Sequence, residues 1–276
     1  MAITASDVNK LRQQTGAGMM DCKNALVEAN GDFEAAIDIL RKKGQKIAAK
    51  RGDNEAKEGV VLAQASTDGK SGVILTLNCE TDFVAKNEGY VTLVQSLVDL
   101  ALANKPSSVD QLMALPYDER LSVSEKITEQ IGVIGEKLDL SNYAVVTGEK
   151  VVAYNHPGNQ LATLVGFSAD GSDMNEVGRQ VAMQVAAMNP LAIDKSGVDD
   201  TTISRELEIG KELAIQEGKP ADMADKIAQG RLNKFFKENT LLSQQFIRDE
   251  KVTVEQFLDN TLKGLTVTDF KRFSLS

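Results

Sequence analysis

The sequence has no tryptophan, one histidine, two cysteines and five prolines in 276 residues, and aromatics make up only 5%. Each scarcity excludes something. One histidine rules out a histidine-rich metal site, and a Ser-His-Asp or Cys-His mechanism would have only His156 to use. Cys22 and Cys79 lie in apolar-periodic segments, so buried thiols in a reducing compartment are expected rather than a disulfide or a metal pair. No apolar run approaches the ~18 residues that a membrane span needs. The opening MAITASDVNK has no basic end followed by an apolar stretch. A cytoplasmic protein with no membrane contact is therefore expected. Acidic residues outnumber basic ones, 40 to 31, leaving a net charge of −9, a poor balance for generic binding of phosphate backbones.

What is present is ordinary globular composition, 42% hydrophobic and 26% charged, on a chain long enough for about two domains. Residues 1–44 read as three short helices. Thr4 and Asp7 form a capping-box pair ahead of Val8 and Leu11, and Thr15-Gly16-Ala17-Gly18 breaks that helix. Met19, Cys22, Leu26 and Ala29 mark the inner face of the second, which stops at Asn30-Gly31. Asp32 caps the third, with Phe33, Ala36, Ile37 and Leu40 facing inward and Gly44 as its end. So small a bundle is marginal alone and suggests a docking module. Residues 45–58 read as a basic and polar linker, continuing a run that includes Arg41, Lys42, Lys43, Lys46, Lys50 and Arg51.

The centre carries a weak internal repeat. In the first copy, Gly59–Ser66 and Val73–Glu80 flank a turn at Asp68-Gly69, and a helix over about Asn87–Ala103 ends at Asn104-Lys105-Pro106. In the second, Val151–Asn155 and Gln160–Ala169 flank His156-Pro157-Gly158-Asn159, and a helix over Asp173–Met188 ends at Asn189-Pro190. Two related α+β subdomains are expected, over 59–140 and 141–276. Between the copies, Ser108–Ala114 and Asp118–Gln130 look helical and Tyr143–Val146 extended. A helical hairpin about a Gly218-Lys219-Pro220 turn is inserted at about 191–236; a helix over Val252–Leu262 and a strand over Leu265–Phe270 close the chain.

Nucleotide-loop signals fail. Gly69-Lys70-Ser71 has Gln64 where a phosphate loop needs glycine, and Gly16-Ala17-Gly18 meets Asp21 where a dinucleotide fingerprint needs its third. Neither cofactor nor metal is expected, and no catalytic residue is assigned. Two features suit a partner surface instead. Met20 points roughly 160° away from the inner face of its helix at 100° per residue, beside Lys23. Phe83 lies in Glu80–Lys86, a strand-to-helix corner reduced in the second copy to Asp170-Gly171-Ser172. Phe83 is a staple for the following helix, with Asp82 as its N-cap, or an aromatic anchor for another protein.

At these residues a resemblance becomes specific. Thr15 through Leu26 (TGAGMMDCKNAL) and Thr81 through Asn87 (TDFVAKN) resemble the two signature segments of the bacterial elongation factor Ts family, and the order of modules is similar over nearly the whole chain. The resemblance implies a translation elongation factor that is not an enzyme: a guanine nucleotide exchange factor for the GTPase elongation factor Tu, in its GDP-bound and nucleotide-free forms. It implies an N-terminal three-helix bundle like ubiquitin-associated domains, docking through Met19, Met20 and Lys23. It also implies a wedge at Thr81, Asp82, Phe83, Val84 and Ala85 near the magnesium and phosphate end of the GDP pocket, a partner contact at His156, and a coiled coil for the hairpin. Longer members continue into a further C-terminal helix, and some carry paired arginines where this chain has Ile131–Lys137. No contacts are transferred at either place.

Two alternatives remain from the residues alone. One is a docking adaptor without exchange activity, binding whatever the nucleotide state. The other is RNA binding through Arg41–Arg51, although no aromatic stands there to stack on bases.

Overall fold

Apolar residues on both faces of a strand require a cover on both sides, and the runs Gly59–Ala65 and Gly72–Leu77 are of this kind. The computed structural model, which describes residues 3–275, provides that cover with a second sheet on one face and helices on the other. Strands β1 (Glu58–Ala65), β2 (Ser71–Cys79) and β3 (Asp139–Thr147) form one antiparallel sheet in the order β1-β2-β3. Strands β4 (Lys150–Asn155), β5 (Leu161–Phe167) and β8 (Val267–Ser274) form the other in the order β4-β5-β8. Val61, Ala63, Ile74 and Val146 of the first sheet pack against Val151, Ala162 and Leu164 of the second.

The opposite faces take helices, giving four layers. Val60, Leu62, Val73 and Leu75 pack with α5 (Glu88–Asn104), α6 (Val109–Ala114) and α7 (Val123–Ile134). Val152, Val165 and Phe167 pack with α8 (Met174–Met188) and α11 (Val254–Thr261). Both α5 and α8 end on a left-handed residue before proline: Lys105 at φ 48° and Asn189 at φ 43°. Strand β3 pairs with β2 from Ser71↔Thr147 to Asn78↔Asp139, so the first half runs through Thr147 and not to 140 as expected.

The N-terminal helices are α1 (Ala5–Thr15), α2 (Met19–Glu28) and α3 (Phe33–Arg51). Thr4 and Asp7 make the capping box in both directions, and Asp32 accepts from the Ala35 N–H at 3.0 Å. Two expectations are corrected here. Helix α3 does not end at Gly44 but runs on to Arg51, so the first half of 45–58 is helix rather than linker. The reason is a helix crossing. A Cβ on Gly44 would stand 3.0 Å from the Thr128 carbonyl oxygen of α7, and one on Gly132 would stand 2.7 Å from the Gly44 Cα. Glycine here permits close packing and stops nothing, although in a helix interior it costs about 1 kcal/mol relative to alanine.

Other boundaries shift for local reasons. Helix α7 starts at Val123 rather than Asp118, because the Asp118 carboxylate accepts from the Arg120 and Leu121 N–H groups in a turn, and Ser122 with Glu125 forms the capping box. The hairpin is present as antiparallel helices α9 (Asp200–Gln216) and α10 (Ala221–Asn239), close-packed where Gly210 meets Ala228. A short ribbon, β6 (Gln245–Phe246) with β7 (Asp249–Thr253), was not expected. It is held by buried Gln184, whose amide donates to Gln244 and to the Gln245 carbonyl and accepts from the Ile247 N–H. Among the described residues no helix is long and apolar enough to cross a membrane.

Candidate functional site: an exposed aromatic on a pinned corner

Strand β2 ends at Cys79, and the chain turns through Glu80 and Thr81 into a one-turn helix, α4 (Asp82–Ala85). Thr81 is its N-cap, accepting from the Val84 N–H at 3.4 Å. Asn87 caps α5, accepting from Gly89 and Tyr90. Asp82 is thus the first helical residue and not the expected cap, and it pairs with Lys86 at 2.6 Å. The Lys86 side chain holds the Asp82 carboxyl below its usual pKa. Val84 and Ala85 pack onto the first core, leaving Phe83 on the outer side of the turn. Phe83 is 83% exposed, the most exposed large apolar side chain described. It is no staple for α5.

The corner below Phe83 is unusually well tied. The Glu136 carboxylate accepts from the Glu80 N–H at 3.1 Å, the Thr81 N–H at 3.0 Å and the Thr81 hydroxyl at 2.6 Å. The Glu80 carboxylate accepts from the Lys137 N–H at 2.6 Å, from Arg51 at 2.8 and 2.9 Å, and from Asn54 at 3.0 Å. Burial opposes ionisation of Glu80, but the Lys137 N–H, the Asn54 amide and the Arg51 guanidinium outweigh it, and its pKa is lowered. The Cys79 thiol donates to the Thr81 carbonyl at 3.2 Å, and burial pushes its pKa up to about 11, so it is an unreactive packing group.

On α2, Cys22, Ala25 and Leu26 are buried, while Met19, Met20, Lys23 and Val27 are exposed. Met19, the first residue of α2 and expected on its inner face, is 51% exposed; Ala25 is buried on that face instead. Met20 is 63% exposed, as its position on the wheel requires. Val27, unremarked in the sequence, extends the face at the i, i+3, i+7 spacing from Met20 and Lys23.

His156 stands on a different element, the β4–β5 turn, exposed, with Nδ1 2.9 Å from the Tyr154 hydroxyl. Its turn seals the open edge of β1. Asn155 accepts from the Ala63 N–H at 2.8 Å and donates to the Ala63 carbonyl at 3.0 Å, while the Asn159 carbonyl accepts from Val61 at 2.7 Å. The structure therefore joins 81–85 in one turn and Met19, Met20 and Lys23 on one helix face, with His156 on neither. The basic run is partly neutralised, since Arg51 pairs with Glu80 and Lys43 with Asp21.

The sequence reading missed Glu80, Glu136, Arg51, Asn54 and Lys137. The one signal available was Gly135, a helix stop at φ 81°, which places Glu136 at the start of a turn. Nothing in the spacing told which segment it would meet.

The family model described as Elongation factor TS matches residues 80–276. The chain is 53% identical over 273 residues to the elongation factor Ts of Amoebophilus asiaticus, covering 99% of this chain and 98% of that one. It is 50% identical over 275 residues to that of Cytophaga hutchinsonii, covering 99% of each. The figure for Porphyromonas gingivalis is 49% over 276 residues, covering 100% of this chain and 99% of the relative. The class thus defined is that of translation elongation factors. The chain belongs to the elongation factor Ts family.

Proposed function

We propose that this protein is a guanine nucleotide exchange factor for the GTPase elongation factor Tu, acting in the cytoplasm without covalent chemistry. The observation that carries this is Phe83, a large apolar side chain left in solvent on a corner whose backbone N–H groups at Glu80 and Thr81 are held by the Glu136 carboxylate. Exposed aromatics on rigid supports are what protein interfaces use as anchors. In this reading the α2 face of Met19, Met20 and Lys23, on a bundle of ubiquitin-associated type, docks on the GTPase. Thr81–Ala85 enters beside the nucleotide's magnesium and phosphate end. His156 touches a second surface of the partner, and the α9–α10 pair is the family's coiled-coil projection.

Exchange needs no bond chemistry. A factor that binds the nucleotide-free GTPase better than the GDP form must weaken GDP binding by the same ratio. A wedge that disturbs the partner's Mg²⁺ supplies the difference, because the ion neutralises the phosphate charge. GTP then displaces the factor by mass action.

The test is release of a fluorescent GDP from elongation factor Tu. Substoichiometric amounts of this protein should accelerate it; an unchanged off-rate sinks the proposal. A pull-down with and without GDP separates exchange from simple docking, since an adaptor holds both forms equally.

A further inference from the structure

Phe83 packs against almost nothing, so its direction is set by the backbone that carries it. That backbone is held by a reciprocal clasp. The side chain of Glu136 takes the N–H groups of residues 80 and 81, and the side chain of Glu80 takes the N–H of residue 137. Two segments far apart in sequence are locked in one register by carboxylates on opposite sides. Glu136 also fixes the Thr81 hydroxyl at 2.6 Å, and that hydroxyl caps α4. Arg51, the last residue of α3, joins through Glu80, so the clasp also reaches the helix on which α2 packs.

We infer that Glu136 is a positioning residue for exchange: through Thr81 it sets the direction in which Phe83 leaves the corner, without itself touching the partner. This rests on the exchange reading for its functional consequence and on geometry alone for its structural one. Hydrogen bonds to an ionised acceptor are the stronger kind, and three converge here. Their loss should free the turn without opening the core, because Val84 and Ala85 keep their packing.

Two measurements test it. The chain has no tryptophan, so a Phe83→Trp variant carries a single indole at the corner. Adding Glu136→Ala should lower its fluorescence anisotropy while the melting temperature of the whole protein changes little. In GDP release from elongation factor Tu, Glu136→Ala should cut the maximal stimulated rate about tenfold and leave the half-saturating concentration nearly unchanged. Glu136→Gln should restore most of the rate, since its oxygen still accepts the two N–H groups and its NH₂ donates to the Thr81 hydroxyl. Should Glu136→Ala not fold, Thr81→Val removes the hydroxyl alone and should show a smaller fall in both readouts.

Unchanged anisotropy overturns the clasp whatever the exchange assay shows. A full maximal rate in Glu136→Ala, with Phe83→Ala impaired, overturns its role in exchange. If the unaltered protein fails to speed GDP release, the exchange reading falls and the anisotropy alone decides the clasp.

Discussion

The two halves of the sandwich are built alike and finished differently. Each has a three-stranded antiparallel sheet whose outer face carries a helix ended by a left-handed residue and proline. Between the second strand and that helix, the first half inserts Glu80–Lys86, with α4 and Phe83, where the second has little more than Asp170-Gly171-Ser172. After the helix, the first half adds α6 and α7, and the second adds the α9–α10 pair and a small ribbon. None of the exposed large apolar side chains described lies on a strand of either sheet. The repeated frame supplies stability, and the unshared insertions supply surface. Substitutions in the frame should therefore cost folding, and substitutions in the insertions should cost binding.

The largest effect belongs to the frame. A Cβ on Gly178 of α8 would stand 2.5 Å from the Val152 Cγ2 of β4 and 3.1 Å from the Phe167 ring. Gly178→Val should destabilise the protein by about 3 kcal/mol, the upper end for overpacking, read as a fall in the urea midpoint. Phe83→Ala comes next and should behave oppositely. Its unfolding free energy should stay within about 0.5 kcal/mol of the parent, as at other exposed sites, and its loss should appear only against the partner. Met20→Ala should raise the half-saturating concentration for exchange about fivefold and spare the maximal rate, as expected for an anchor worth roughly 1 kcal/mol. Smallest is His156→Ala, with about a twofold change in affinity, below 0.5 kcal/mol; Asn155 and Asn159 hold that turn without the ring.

Acid should distinguish the two corners. The Glu80 pKa lies below its ordinary 4.5, so its contribution is complete above that value and is lost as the pH falls through the lowered one. Anisotropy of the Phe83→Trp variant should accordingly hold steady from neutrality down to about 4.5 and fall only as the pH drops further. The second corner has no such carboxylate clasp, its Asp170 being half exposed at 3.8 Å from Lys150.

Much of this frame was legible in the sequence because its signals are local. Thr4 and Asp7 announce a capping box, Asp68-Gly69 and Gly158-Asn159 announce hairpin turns, and the continuous burial along β1 follows from an apolar run flanked by turns. The repeat showed where the halves differ, and that pointed to Phe83. What stayed hidden depends on partners distant in the chain. Gly44 looks like a helix end until Gly132 is seen against it, and Glu136 looks like a surface acid until Glu80 and Thr81 are placed beside it. Gln184 is a polar residue buried in α8, and what satisfies its amide is a loop 60 residues further along the chain. Met19 was misplaced by a periodicity that takes no account of where a helix begins.

The most direct measurement is the maximal rate of GDP release from elongation factor Tu, stimulated by the parent protein and by Phe83→Ala at saturating concentration. The expected result is a fall of about thirtyfold, matching a hot-spot side chain of about 2 kcal/mol, with an unchanged melting temperature. A Phe83→Ala protein that releases GDP as fast as the parent would contradict the wedge, whatever else the insertions bind.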